Sequence, residues 1–94
     1  MSVYAIVHID VEDAEEYAKY AVLAGPAVQK YGGEFLARGG ECVQMEGKGR
    51  ARNVIIRFAD MKTARAFYDG AEYQEALKYG LPAAAREYVF VEGV

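Results

Sequence analysis

The chain is short of the residues that build most dedicated chemical sites. It has one histidine, one cysteine, two prolines and no tryptophan in 94 residues. The lone cysteine, Cys42, excludes a disulfide framework and a CxxC redox pair. No histidines, cysteines and carboxylates fall at metal-ligand spacing, so no metal site is expected. Net charge is −3 and the bases are scattered, which argues against nucleic acid as a partner. No apolar run approaches the roughly 20 residues that span a bilayer, so no membrane partner is expected either. Met1-Ser2-Val3-Tyr4-Ala5 lacks the basic start and apolar core of a secretory signal. Together with the single cysteine, this points to the cytoplasm.

What the chain does have is apolar bulk. Hydrophobic residues make up 53% and aromatics 13%. A single domain of this length, spanning 1–94, buries a modest share of its surface. Some of the apolar surface is therefore expected to be covered by a second copy of the chain.

Val3–Val11 alternates and is rich in β-branched residues, which predicts a strand. Val3, Ala5, Val7 and Ile9 fall on one face, and Tyr4, Ile6, His8 and Asp10 on the other. Both faces are largely apolar, which suits a central strand. Asp13 can cap a helix whose apolar positions recur through Tyr17, Tyr20, Ala21, Ala24 and Val28. Gly25-Pro26 predicts a kink or restart, and Gly32 or Gly33 a left-handed cap after Tyr31. Glu34 to Met45 reads as a second strand broken at Gly39-Gly40, followed by a hairpin loop and a third strand, Arg52 to Phe58. Asp60 caps a second helix carrying Ala64, Phe67 and Tyr68. Asp69-Gly70 breaks it, and a short helix follows from Ala71 to Tyr79, ended by Gly80 and Pro82. Glu87 to Glu92 reads as the last strand. This order is the ferredoxin-like βαββαβ pattern, an α+β fold with a four-stranded antiparallel sheet and helices on one face. The bare face is a natural place for a second subunit.

His8 is the candidate catalytic residue, because its ordinary pKa of about 6.5 suits a general base. The alternative is a hydrogen-bonded histidine at the sheet or dimer surface. Arg38, just before the glycine pair, and Arg52, opening the third strand, are candidates for gripping an organic anion. They can equally serve as structural ion pairs, Arg38 with Glu46 for instance. Tyr17, Tyr20, Tyr68 and Tyr73 lie on helices and can line a pocket for an aromatic ligand, or simply pack in the core. Cys42 reads as a buried small apolar residue. Gly32-Gly33 and Gly39-Gly40 form no nucleotide-binding fingerprint, and haem would have His8 alone as axial ligand. No cofactor is therefore expected.

The tyrosines of the first helix, Tyr31-Gly32-Gly33, Phe35-Leu36-Ala37-Arg38-Gly39-Gly40, Glu46-Gly47, Arg52, Phe58, Glu72-Tyr73-Gln74 and Val91-Glu92-Gly93 form, in this order and spacing, a specific set. By these marks the chain resembles the family catalogued as domain of unknown function 1330. The resemblance implies a ferredoxin-like subunit paired into a dimeric α/β barrel. Its broad superfamily includes cofactor-free monooxygenases, isomerases, haem-binding proteins and plain ligand binders, so fold alone assigns no reaction. The chain departs from the pattern at Arg57, where glutamate is usual, at Ala59 and at Gly70-Ala71. It also has Lys78-Tyr79-Gly80 where an arginine is expected. Two function classes follow. One is a homodimer binding a small organic anion or aromatic ligand, with isomerase- or monooxygenase-like chemistry and no cofactor. The other is a non-catalytic ligand-binding or structural dimer module.

Overall fold

The computed structural model describes residues 1–94. In chain order the elements are β1 (Val3–Val11), α1 (Ala14–Lys30), β2 (Glu34–Arg38), β3 (Arg52–Phe58), α2 (Met61–Asp69), α3 (Ala71–Ala83) and β4 (Ala84–Glu92). The strands form one antiparallel sheet in the order β2-β3-β1-β4. The ferredoxin-like expectation holds in topology.

The barrel does not. Closure requires both edge strands of a sheet to be paired. Here β2 and β4 are opposite edges, separated by β3 and β1, and β2 stops after five residues. The dimeric α/β barrel implied by the resemblance is therefore corrected to an open four-stranded sheet.

Alternation sorts β1 as its sequence predicts. Val3, Ala5, Val7 and Ile9 are buried under the helices, while Tyr4, Ile6, His8 and Asp10 are half-exposed on the other face. Val54, Ile56 and Phe58 of β3 join the core from below, and Ala24, Ala27, Val28, Phe67, Tyr73 and Leu77 join it from the helices.

The caps explain where the helices begin and end. The Asp13 carboxylate accepts from the Glu16 N–H at 3.2 Å, and Asp60 from the Thr63 N–H at 2.8 Å. Gly32, at φ 72°, closes α1: its N–H donates to Gln29 and that of Gly33 to Val28, the paired bonds of a Schellman motif.

Four local expectations are revised. The α1 helix runs through Gly25-Pro26 without interruption; the carbonyl deprived of a donor belongs to Val22, which is on the exposed side. α3 passes Gly80 and Pro82 and ends at Ala83, whose carbonyl accepts from the Glu12 and Asp13 N–H groups. β2 ends at Arg38, not Met45, and Cys42 is exposed in the irregular segment beyond it. β4 begins three residues earlier than Glu87, at Ala84.

Candidate functional site

Between the helices and the covered face of the sheet lies a cavity of about 250 Å³. Its floor is aliphatic, with Val7 and Ile9 from β1 and Val54 and Ile56 from β3. Four phenols surround it: Tyr17 and Tyr20 from α1, Tyr73 from α3 and Tyr88 from β4. Arg38 and Arg52 also line it, and no carboxylate does.

Register explains why the bases gather there. Ile9 faces Arg52 on one side and Arg86 on the other, so the two arginines flank it in one row across the sheet. The next row contains Arg38, Val54, Val7 and Tyr88. Residues in register on the same side of a sheet share a face, so Arg38, Arg52 and Arg86 all belong to the helix side at one end. Gly39 makes room for one of them. Its φ is 71°, and a Cβ there would land on the Arg52 guanidinium. Arg38 stacks over the Phe35 ring at 4.4 Å and makes no ion pair with Glu46.

A part-buried polar cluster is centred on Arg86. Its Nη2 donates to the Tyr73 hydroxyl at 2.8 Å and to the Tyr20 hydroxyl at 3.2 Å, and the two hydroxyls are 2.7 Å apart. The guanidinium also lies over the Tyr20 and Tyr88 rings, 4.8 and 5.5 Å from their centroids. Nε and Nη1 are buried without a partner, as are the hydroxyls of Tyr17 and Tyr88. Burial pushes the Tyr20 hydroxyl far above its ordinary 10.0, and Tyr73 adds to this, while Arg86 pulls the other way. Tyr73, Tyr88 and Tyr17 are also raised, chiefly by burial. All four phenols are therefore neutral donors at neutral pH, and Arg86 is a cation with no anion beside it.

Of the residues expected at a site, the structure brings Tyr17, Tyr20, Tyr73, Arg38 and Arg52 to this cavity. Tyr68 is not in the lining; its ring packs 5.1 Å from Tyr73 and 5.4 Å from Tyr88. His8 is on the other face of the sheet, with Nδ1 2.6 Å from the Asn53 side-chain oxygen. No group of three or more His, Cys, Asp and Glu side chains comes together to hold a metal. Arg86 was not anticipated. It falls within a stretch, Ala83-Ala84-Ala85-Arg86, whose alanines carry no strand signal. The aromatic residues at Tyr88 and Phe90, alternating with it, were the available cue.

These features describe a ferredoxin-like α+β protein with a phenol-lined cavity between its layers. The chain belongs to the family described as Domain of unknown function (DUF1330), whose profile matches residues 2–94. No curated protein matches it. Among solved structures it is similar to a protein of unknown function from Rhodopseudomonas palustris, with TM-score 0.80 and 17% identity over 99% of this chain and 82% of that one. A dimeric ferredoxin-like protein of unknown function from Jannaschia sp. CCS1 also gives TM-score 0.80, with 13% identity over 99% and 100% of the two chains. SnoaB, a cofactor-independent oxygenase from Streptomyces nogalater, gives 0.68 with 10% identity over 99% and 93%. At these identities the likeness is one of fold. No helix is long and apolar enough to cross a membrane.

Proposed function

We propose that the protein is a cytoplasmic homodimer that binds a small aromatic compound or organic anion in this cavity and transforms it without a cofactor. The observation that carries the reading is the lining itself: an aliphatic floor, four phenols and two arginines, with no carboxylate to repel an anion. The volume, about 250 Å³, lies below the usual range of about 300–1,000 Å³ and suits a compact ligand. Isomerase- or monooxygenase-type chemistry on an enolate fits such a site, because fixed donors stabilise developing negative charge. The fold shared with a cofactor-independent oxygenase is compatible with this chemistry. The homodimer is supported by the uncovered sheet face, where Val89 and Val91 are 52% and 45% exposed, and by the dimeric relative of the same fold. The cytoplasmic assignment rests on the single unpaired cysteine.

One observation favours a second reading, a non-catalytic binder. The cavity has no group that accepts a proton near neutral pH. His8 is across the sheet, and the lining phenols are held neutral. Native mass spectrometry with added aromatic carboxylates and phenols tests the shared core of both readings. The expected result is a dimer that retains one small molecule per subunit and releases it on denaturation. Ala24→Leu, which fills the cavity, should keep the dimer and lose the added mass; His8→Ala should keep both. An Ala24→Leu protein that still retains the ligand removes the cavity from the proposal.

A further inference from the structure

Arg86 presents an electrostatic problem that the protein alone does not solve. A cation withdrawn from water is costly unless an opposite charge or a full set of acceptors replaces the solvent. Carboxylates are within reach of the other face, where Arg50 pairs with Asp10 and Glu87. Arg86 has none, and two of its three nitrogens lack any partner. Its only acceptors are two phenol oxygens that are themselves neutral.

The protons of that cluster can be counted. Nη2 has two hydrogens, one for each phenol oxygen. The contact between the Tyr20 and Tyr73 hydroxyls uses one of their two protons. The other phenolic proton has no partner in the chain. It is polarised by the cation behind it, and both rings line the cavity. A ligand oxygen settling against the pair therefore meets a donor strengthened by a full positive charge. Tyr17 and Tyr88, also at the lining, have hydroxyls with no partner. This end of the cavity presents phenol donors and, behind them, a cation, and no carboxylate lines it.

We propose that this end of the cavity is an oxyanion site that takes a phenol or enol in its ionised form, with the oxygen against the Tyr20–Tyr73 pair and Arg86 as the positioning residue behind them. The inference rests on the cavity reading above and deepens it by naming the ligand class. It also removes the need for a base. On binding, the ligand O–H bond breaks, its electron pair stays on the oxygen, and the proton passes to bulk water. A charge-assisted hydrogen bond outweighs a neutral one by enough to favour the anion about ten- to a hundredfold.

The test uses 4-nitrophenol, whose phenolate absorbs in the visible where the phenol does not, and nitrobenzene as a probe of similar shape without the acidic oxygen. Wild-type protein titrated into 4-nitrophenol below the probe's own pKa should bring up the phenolate band. The apparent pKa of the bound probe should fall by about one to two units, which is the same ten- to hundredfold preference. Arg86→Met should still bind nitrobenzene but lose the phenolate band, and Arg86→Lys, which retains the charge, should recover part of it. Tyr20→Phe should weaken the band while leaving the charge in place, and serves if the Arg86 variants fail to fold. Nitrobenzene binding together with 4-nitrophenol held as the neutral phenol overturns this inference and leaves the cavity reading standing. Failure of both compounds to bind overturns both.

Discussion

The two faces of the sheet treat an arginine in opposite ways. On the open face, Arg50 donates to Asp10 at 2.9 Å and to Glu87 at 3.3 Å, and the Ala51 N–H donates to the other Asp10 oxygen at 2.9 Å. Every charge there has a partner and access to water. On the covered face, Arg86 has phenols for neighbours, and the row that contains it also holds Arg52. Strand alternation produces the contrast: Asp10 and Glu87 are one residue from Ile9 and Arg86, so the acids point outward exactly where the bases point inward. A face that water reaches can neutralise its charges with surface acids, at little net gain. A face sealed by helices has to neutralise them internally or leave them for a ligand.

The sharpest way to break this comparison is Arg86→Met. Arg86 is half-buried and two of its nitrogens have no partner, so an apolar side chain of similar length in its place should leave stability unchanged or raise it. Urea unfolding should show an equal or higher midpoint with an unchanged slope. A marked loss of stability would mean that Arg86 is a structural pillar whose phenol bonds already satisfy it, and the contrast between the faces would collapse.

A smaller effect separates the tyrosines by pH. The folded-state pKa values of Tyr17, Tyr20, Tyr73 and Tyr88 are raised above 10.0, each chiefly by burial. Unfolding would let them ionise near that ordinary value. The stability they contribute is therefore complete below pH 10.0 and is lost as pH climbs towards their higher folded values. Phenolate absorbance should rise in two stages, the second coinciding with loss of the folded circular dichroism signal. A single smooth rise of all eight tyrosines in a protein that stays folded would contradict the sealed face.

Much of this arrangement was legible before the structure. The alternation in Val3–Val11 placed the core and the central strand, and Asp13, Asp60 and the Gly32-Gly33 pair marked helix ends through capping chemistry, with the structure choosing Gly32 as the left-handed one. Tyr17, Tyr20, Tyr73, Arg38 and Arg52 were candidate residues, and they do share a cavity. What local sequence missed depends on register between distant strands. Nothing near His8 says that it pairs with Asn53, or which of the two faces of β1 the helices cover. Nothing near Arg86 says that Ile9 sets it beside Arg52. Three alanines mask the start of β4 because alanine favours helix, and tertiary pairing overrides that preference. The expectation of a barrel came from the resemblance, and the order of the four strands replaces it with an open sheet.

The smallest effect belongs to the open face and serves as the control. Arg50 and its two acids are solvent-accessible, so Arg50→Met should leave the unfolding midpoint close to wild type and leave 4-nitrophenol uptake unchanged. Its trace should appear in acid. The Asp10 carboxyl is held below its ordinary 3.8, first by the Ala51 N–H; desolvation opposes this, and the hydrogen bond and charge of Arg50 add to the lowering. A depressed carboxylate contributes stability above its unfolded pKa and loses it as pH falls through the lower folded value. Arg50→Met removes the arginine but not the Ala51 bond. The variant should therefore begin its acid unfolding at slightly higher pH than wild type, and by less than Asp10→Ala, which removes both. If Arg50→Met instead disturbed the probe as strongly as Arg86→Met, the two faces would be electrostatically coupled through the sheet. The paired arginine of the open face and the unpaired one of the covered face would then be a single device rather than two.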